Sequence, residues 1–206
     1  MITIALVEDN ETIRSGLKEF ISITDEFKCV GDFSNCEDFL ELLPQINPDI
    51  ILMDINLPGI SGIEGIKEVR KIYNNPNIII LTIHSESENL FEALAAGASG
   101  YIEKKTPPHQ MVNAIKEIAH GRSIMNTYIA RKAIKYFSHK KNSLSKRKKS
   151  IDKTEFDILK KLTEGKSPLA IADDFKILPA SIYSHFFNIY DKMHLAENGG
   201  NKITVK

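Results

Sequence analysis

The sequence lacks the features that mark secreted, disulfide-stabilised and membrane proteins. Its two cysteines, Cys29 and Cys36, are too few for a disulfide scaffold, and no Cys/His cluster has the spacing of a metal site. No run of about 18 apolar residues occurs, so we expect no segment to span a membrane and no membrane partner. The first residues, MITIALVEDN, lack the basic start and the small-residue cleavage site of a signal peptide. The expected location is the cytoplasm.

The net charge is zero, but the charged residues are distributed unevenly along the chain. The formal net charge is +0, yet residues 1–130 sum to −9 and residues 131–206 to +9. Residues 131–150 hold nine basic residues and no acid, whereas residues 151–206 hold eight of each sign. A chain of 206 residues is long for one domain and comfortable for two. We therefore predict an acidic domain, a connecting helix with a basic linker, and a small neutral domain, over residues 1–125, 126–150 and 151–206.

Short apolar runs alternate with helical patterns over the first 120 residues. The runs have the length of strands and comprise residues 2–7, 27–33, 49–54, 77–83 and 98–103. Between them lie amphipathic patterns, among them a helix over 35–43 that we expect Pro44 to end. This alternation predicts a parallel sheet with helices on both faces, for which five βα units fit the length. The remainder is helical in pattern, with helices predicted over 127–137, 154–163, 168–175 and 179–193.

Acidic side chains follow several of the predicted strands. Glu8 and Asp9 end the first strand and Asp54 ends the third, while Thr82 lies near the end of the fourth and Lys104 follows the fifth. In a doubly wound sheet the functional groups gather at these carboxyl ends. Crowded carboxylates repel each other unless a cation lies among them, and such oxygen sites suit Mg²⁺. One carboxylate can then attack a phosphoryl group, whose charge an ammonium and a hydroxyl stabilise.

Four segments carry a resemblance to a known family. VEDN (7–10), ILMDINLPGISG (51–62), IILTIHS (79–85) and GASGYIEKKTP (97–107) resemble the signature segments of bacterial response-regulator receiver domains. The resemblance implies a flavodoxin-like (βα)5 doubly wound fold, phosphorylation by a sensor histidine kinase, and a homodimer formed on phosphorylation.

The same resemblance assigns roles to individual residues. It implies that Asp54 is the phosphoacceptor, and that Mg²⁺ is held by Asp9, Asp54 and the backbone carbonyl of Asn56, with Glu8 acting through water. Lys104 contacts the phosphoryl oxygens, Thr82 moves to hydrogen-bond them, and Tyr101 is the aromatic side chain whose rotamer reports the switch. A purely structural role for Tyr101 is the alternative.

A conventional enzyme is not expected. Phosphohydrolases with an aspartyl nucleophile need a second acid two residues later, and here Asp54-Ile55-Asn56 supplies an amide. No Gly-rich phosphate-binding loop with Lys-Ser/Thr is present. The site is suited to hold a phosphoryl group, with at most slow self-dephosphorylation.

The second part resembles the helix-turn-helix output domain of the NarL/LuxR class. The match runs over IDKTEFDILKKLTEGKSPLAIADDF and ILPASIYSHFFNIYDKMHL, residues 151–195. Its expected core is apolar and comprises Leu159, Leu162, Ile171, Ile182, Phe186 and Ile189. By the resemblance, DNA is contacted by Ser181, Tyr183, Ser184, Phe187, Asn188 and Lys202.

This chain departs from that class in the charge of its recognition helix. DNA-facing positions that are commonly Lys or Arg are here Tyr183, Ser184 and Phe187, and the one fixed cation between residues 179 and 193 is Lys192. Because phosphate contacts supply much of DNA affinity, two functions stay open. One is a phosphorylation-dependent transcription regulator, which the nine linker cations favour. The other is a response regulator whose degenerate helix-turn-helix acts through protein–protein contacts, which the uncharged helix favours.

Overall fold

The computed structural model describes residues 1–73, 76–140 and 151–197, so the basic linker beyond residue 140 and Lys202 lie outside the described residues. The strands are β1 (Ile2–Val7), β2 (Phe27–Phe33), β3 (Ile50–Asp54), β4 (Asn77–Thr82) and β5 (Gly100–Glu103). The helices of the first part are α1 (Glu11–Ser22), α2 (Cys36–Ile46), α3 (Gly62–Ile72), α4 (Glu88–Ala96) and α5 (Pro108–Ala119). The later helices are α6 (Thr127–Lys140), α7 (Lys153–Thr163), α8 (Pro168–Phe175) and α9 (Pro179–Glu197).

The five strands form one parallel sheet in the order β2-β1-β3-β4-β5. The central strand β3 is buried along its whole length, which explains why IILMD is an uninterrupted apolar run. Helices α1 and α5 cover one face, and α2, α3 and α4 cover the other. This is the predicted flavodoxin-like doubly wound fold, with the 2-1-3-4-5 strand order of that class.

The prediction that Pro44 ends the second helix is wrong. Helix α2 continues through Pro44 to Ile46 and ends at Asn47, which adopts a left-handed conformation (φ 37°). Proline removes one backbone donor, whose partner would have been four residues earlier. The buried side chain of Leu43 and the packed side chain of Ile46 hold the last turn against the sheet. Packing therefore outweighs the loss of a single helical hydrogen bond.

The helical remainder agrees with the expected helices, and all six expected core residues of residues 151–195 are buried. Their core is not separate, however. Helix α9 packs along α4 and helix α7 packs against α6, so the apolar cluster is continuous with the α2-α3-α4 side of the sheet. Of the helices described, none combines the length and apolarity needed to cross a bilayer.

Candidate functional site

The parallel register brings three carboxylates together at the carboxyl edge of the sheet. Val7 lies beside Met53, and Asp54 beside Leu81, so the residues that follow β1 meet the end of β3. Glu8, Asp9 and Asp54 each place one carboxylate oxygen within 4.8 Å of the others. Glu8 and Asp54 are buried, whereas Asp9 is exposed. The cluster is therefore open to solvent on the side of Asp9.

A cavity of about 500 Å³ lies on that open side. Its lining includes Asp9, Asn56 and, from α4, Asn89. Helix α3 begins tightly behind the loop, because a Cβ on Gly62 would lie 2.0 Å from the carbonyl oxygen of Asp54. Sequence reasoning gave Gly62 no role, although a glycine eight residues after the central aspartate is the visible signal for this close approach. Asp9 and Asn56 therefore face a cavity large enough for a phosphoryl-sized group, next to the end of β3.

Lys104 places its ammonium against two of the three carboxylates. Its Nζ lies 2.7 Å from Oε2 and 3.0 Å from Oε1 of Glu8, and 3.1 Å from Oδ1 of Asp54. Burial alone would lower the pKa of Lys104, but the bonds and charges of Glu8 and Asp54 outweigh it and raise that pKa. Burial, helped by the charge of Asp54, raises the pKa of Glu8 against the opposing effect of Lys104. The nearby Arg14 guanidinium bonds the backbone carbonyls of Glu8 and Asp9 and not their carboxylates.

The cluster offers oxygen donors only. Glu8, Asp9 and Asp54 each place a carboxylate oxygen within 4.8 Å of the others, and the Lys104 ammonium is shared between Glu8 and Asp54. Three carboxylates with a single ammonium divided between two of them match the preference of a hard divalent cation for oxygen ligands. Glu8, Asp9 and Asp54 therefore fit Mg²⁺.

The two residues expected to switch lie at the ends of β4 and β5, and both have hydrogen-bond partners in the adjoining loops. The Thr82 hydroxyl donates to the carbonyl of His84 (3.0 Å) and accepts from its N–H (3.2 Å). Tyr101 is buried, and its hydroxyl oxygen accepts a hydrogen bond from the backbone N–H of Asn126. Burial raises the pKa of Tyr101, so its hydroxyl is a neutral partner at any physiological pH. Sequence reasoning missed Asn126, and no local pattern marks a contact across 25 residues.

The expected DNA contacts differ in exposure. Asn188 is exposed, whereas Ser181, Tyr183, Ser184 and Phe187 are half-buried, and Lys202 lies outside the described residues. The carbonyl of Tyr183 accepts from the N–H of Ser123 (3.0 Å), and its ring packs edge-on against Phe186.

Lys192, the fixed cation of the described part of α9, is half-buried and engaged in an ion pair. Its Nζ lies 2.6 Å from each carboxylate oxygen of Glu155, which is itself buried. This ammonium is therefore engaged by a carboxylate and does not face outward as a phosphate ligand would.

Comparison with known proteins places these features in a family. The model of the response regulator receiver domain matches residues 4–116. The chain is 27% identical to the transcriptional regulatory protein DegU of Brevibacillus brevis, over 94% of this chain and 88% of that protein. It is 28% identical to the nitrate/nitrite response regulator protein NarL of Escherichia coli K12, over 94% and 89%. A LuxR-family two-component response regulator from an Aurantimonas species aligns with a TM-score of 0.59 and 31% identity, over 65% of this chain and 99% of that one.

Proposed function

This chain belongs to the NarL/LuxR class of two-component response regulators, and on that premise we propose that a sensor histidine kinase phosphorylates it on Asp54 to control transcription. The observation that carries the proposal is the clustering of Glu8, Asp9 and Asp54 at the sheet edge, with the Lys104 ammonium 3.1 Å from Asp54. We place the protein in the cytoplasm, and its proposed domains are residues 1–125, 126–150 and 151–206.

The chemistry follows from what each side chain can do. Asp54 is the nucleophile, and its approach to phosphorus is open on the side of Asp9 and Asn56. Lys104, 3.1 Å from the Asp54 carboxylate, is placed to neutralise the equatorial phosphoryl oxygens. Glu8, Asp9, Asp54 and the backbone carbonyl of Asn56 would hold Mg²⁺, which supplies further positive charge when bound. Thr82 can donate its hydroxyl to the phosphoryl group after it leaves His84.

The site is proposed to store the phosphoryl group and not to turn over a substrate. Asn56, two residues after Asp54, offers an amide that cannot move a proton as a general acid does. The acyl phosphate then persists long enough to shift a conformational equilibrium, with slow self-dephosphorylation.

Labelling of the full chain with a small-molecule phosphodonor tests the phosphoacceptor. With Mg²⁺, mass mapping should find one acyl phosphate, on Asp54, and Asp54→Asn should abolish it. Asp9→Ala should abolish it too, because it removes a metal ligand, whereas the matched change Asp157→Asn in α7 should leave it intact. Label that persists in Asp54→Asn would show that the nucleophile is another residue.

DNA binding through the basic linker, with low sequence specificity, is the output that we propose first. The support lies in the family of the chain and in the nine cations of residues 131–150, which would meet DNA phosphates. If these cations meet about five phosphates, the slope of log affinity against log salt should be about −4 to −5, whereas the neutral segment 151–206 should give about −1 to −2. Neutralising Lys146, Arg147, Lys148 and Lys149 together should weaken binding to all sequences alike. An unchanged slope would exclude the linker as the source of affinity.

Output through protein contacts is the second candidate, and the engaged state of Lys192 favours it. The described part of α9 then offers DNA no fixed cation, and its Tyr183 side chain lines a cleft against α5. Phosphorylation would release α9 for a protein partner or promote a homodimer. Sedimentation with beryllofluoride as the phosphoryl analogue decides the association state. Tight, sequence-specific DNA binding by the phosphorylated chain would rule this candidate out.

A further inference from the structure

The segment that leads from α5 to α6 is attached to helix α9 at two places. We call residues 123–126 the joint. The N–H of Ser123 donates to the carbonyl of Tyr183 (3.0 Å), and the carbonyl of Ile124 accepts from the hydroxyl of Tyr190 (2.6 Å). Tyr190 is buried, so its hydroxyl has no solvent alternative to this bond. The first half of the joint thus moves with α9.

The last residue of the joint is attached to the switch residues. The N–H of Asn126 donates to the Tyr101 hydroxyl, and its Nδ2 donates to the carbonyl of Ser85 (3.0 Å). The hydroxyl of Ser85 in turn bonds the carboxylate of Glu103, two residues beyond Tyr101. Ser85 follows His84, which holds the Thr82 hydroxyl. Asn126 therefore contacts both the β4–α4 loop and β5.

Asn126 also begins helix α6. Its Oδ1 accepts from the N–H of Ile129 (2.8 Å) and its carbonyl accepts from the N–H of Ala130 (3.0 Å), so it is the N-cap. One residue later, the Thr127 hydroxyl donates to the carbonyl of Leu162 in α7 (3.3 Å). A displacement of Asn126 is thus passed to α6 and α7 as well as to the joint.

We propose that Asn126 is a positioning residue that couples the phosphoryl switch at Thr82 and Tyr101 to helices α6 and α9. The inference rests on the proposed function. When Thr82 leaves His84 for the phosphoryl group, the Ser85 carbonyl and the Tyr101 hydroxyl change position together, and Asn126 cannot keep both bonds. A ligand shifts a two-state equilibrium only through contacts that differ between the states, and these two bonds are such contacts.

The two functions of the Asn126 side chain can be separated chemically. Oδ1 caps α6 and Nδ2 bonds Ser85, so Asn126→Ser keeps a capping oxygen on a shorter side chain that does not carry the amide donor. Asn126→Asp keeps the size and the acceptor but has no donor when ionised. Asn126→Ala removes cap and donor together. The matched control is Asn35→Ser, because Asn35 caps α2 in the same way and lies outside the joint.

Amide hydrogen exchange on the full chain with Mg²⁺, with and without beryllofluoride, tests the coupling. In the wild type, beryllofluoride should speed exchange of Ile129 and Ala130, and of the amides around Tyr190, by about tenfold, the scale of one lost hydrogen bond. In Asn126→Ser and Asn126→Asp the cap of α6 is kept and the bond to Ser85 is lost, so the amides around Tyr190 should already exchange faster, and beryllofluoride should add less than about twofold. Labelling of Asp54 should be unchanged in both variants, and Asn35→Ser should behave as the wild type.

The outcomes separate the inference from the function on which it rests. A wild-type response to beryllofluoride in both Asn126 variants overturns the coupling. A wild-type chain that takes no label on Asp54 overturns the proposed function, and hydrogen exchange of the proteins without beryllofluoride then still tests the coupling. Faster exchange in Asn126→Ser both around Ser85 and around Tyr190 supports the coupling. Faster exchange confined to the first turn of α6 would show that Asn126 acts only as a helix cap, and this result overturns the coupling.

Discussion

Two buried glutamate–lysine pairs, one in each part of the molecule, use the same side chains for opposite purposes. Glu155 and Lys192 form a closed pair in the α7–α9 region: Lys192 bonds both carboxylate oxygens, and Oε2 also accepts from the N–H of Asp152 (2.8 Å). Glu8 and Lys104 form an open pair at the sheet edge, where the same ammonium lies 2.7 Å from Oε2 of Glu8 and 3.1 Å from Oδ1 of Asp54. A pair closed by further hydrogen bonds fixes structure, whereas an ammonium divided between two carboxylates leaves them able to bind a ligand.

The difference bears on which region we propose for phosphoryl chemistry. Asp152 and Glu155 form a capping box at the start of α7, so the carboxylate near Lys192 belongs to the helix framework. The carboxylates near Lys104 form a cluster with Asp9, which lines a cavity. The contacts of the two lysines therefore support a structural role for Lys192 and the proposed phosphoryl role for Lys104.

The largest expected effect on stability comes from breaking the closed pair. Lys192→Met leaves Glu155 buried without its cation, and the free energy of unfolding should fall by about 3 to 5 kcal/mol. Urea unfolding measures the loss, and labelling of Asp54 in the folded protein should be unaffected. Lys161→Met is the matched control, because Lys161 pairs with Asp174 at the surface and its loss should matter little. Equal stability of the two variants would remove the contrast between the regions.

Breaking the open pair should affect chemistry more than stability. Lys104→Met removes the ammonium that faces the phosphoryl oxygens, so the initial rate of Asp54 labelling should fall by about 10²- to 10³-fold, the scale seen when one charge-stabilising donor is lost. Stability should fall less than in Lys192→Met, because the pKa of Glu8 is already raised and its carboxylate can take up a proton. A loss of stability equal to that of Lys192→Met would show that the two pairs do not differ as described.

The pH dependence of that stability has a definite sign. The pKa of Glu8 is raised above its ordinary 4.5 in the folded protein, so the folded state binds the proton more tightly than the unfolded one. Its contribution to stability is fully present below about pH 4.5 and is lost as the pH rises through the folded pKa. Glu8→Gln should abolish this dependence, which unfolding at a series of pH values can measure against Glu155→Gln. A dependence that survives in Glu8→Gln must come from another group.

Sequence reasoning reached the sheet and the acidic cluster because both depend on local signals. An apolar run of strand length is visible in the letters, and parallel strands bring their carboxyl ends to one edge whatever the loops do. It failed at Pro44, where the packing of Leu43 and Ile46 decides, and at Asn126, whose partners lie 25 and 41 residues away. The engagement of Lys192 by Glu155, 37 residues apart, was likewise out of reach.

The stability of the contact between helices α4 and α9 should depend moderately on pH. The ring of His194 on α9 meets the carbonyls of Ala95 and Ala96 at the end of α4, with Arg70 and Asp191 nearby. Burial and then the charge of Arg70 lower the pKa of His194, against the raising effects of Asp191 and the carbonyls. The stability that the neutral ring contributes is present above about pH 6.5 and is lost as the pH falls through the lowered pKa.

We therefore expect acidification to open the α4–α9 contact, because burial and the charge of Arg70 oppose a charged ring at this position. Hydrogen exchange of α9 between pH 5 and 7.5, corrected for the intrinsic rate, measures the effect. The change should be absent in His194→Gln and retained in His120→Gln, since His120 is exposed and lies at the end of α5. Retention in His194→Gln would assign the response to another group.

The smallest expected effect concerns a buried hydroxyl that has neither an ion-pair partner nor a hydrogen-bond partner among the described residues. The Ser123 hydroxyl is buried, and no described residue bonds it. It lies against Gly100 of β5, where a Cβ would come within 2.7 Å of its Oγ and within 2.8 Å of Cδ1 of Ile118. Ser123→Ala removes an unpaired hydroxyl, so the free energy of unfolding should stay within about 1 kcal/mol of the wild type or rise slightly.

Gly100→Ala alone should destabilise the protein by about 1 to 3 kcal/mol through overpacking. Because the Oγ is one of the two obstacles, the double variant should recover part of that loss in urea unfolding, whereas strictly additive effects would show that the hydroxyl does not press on β5.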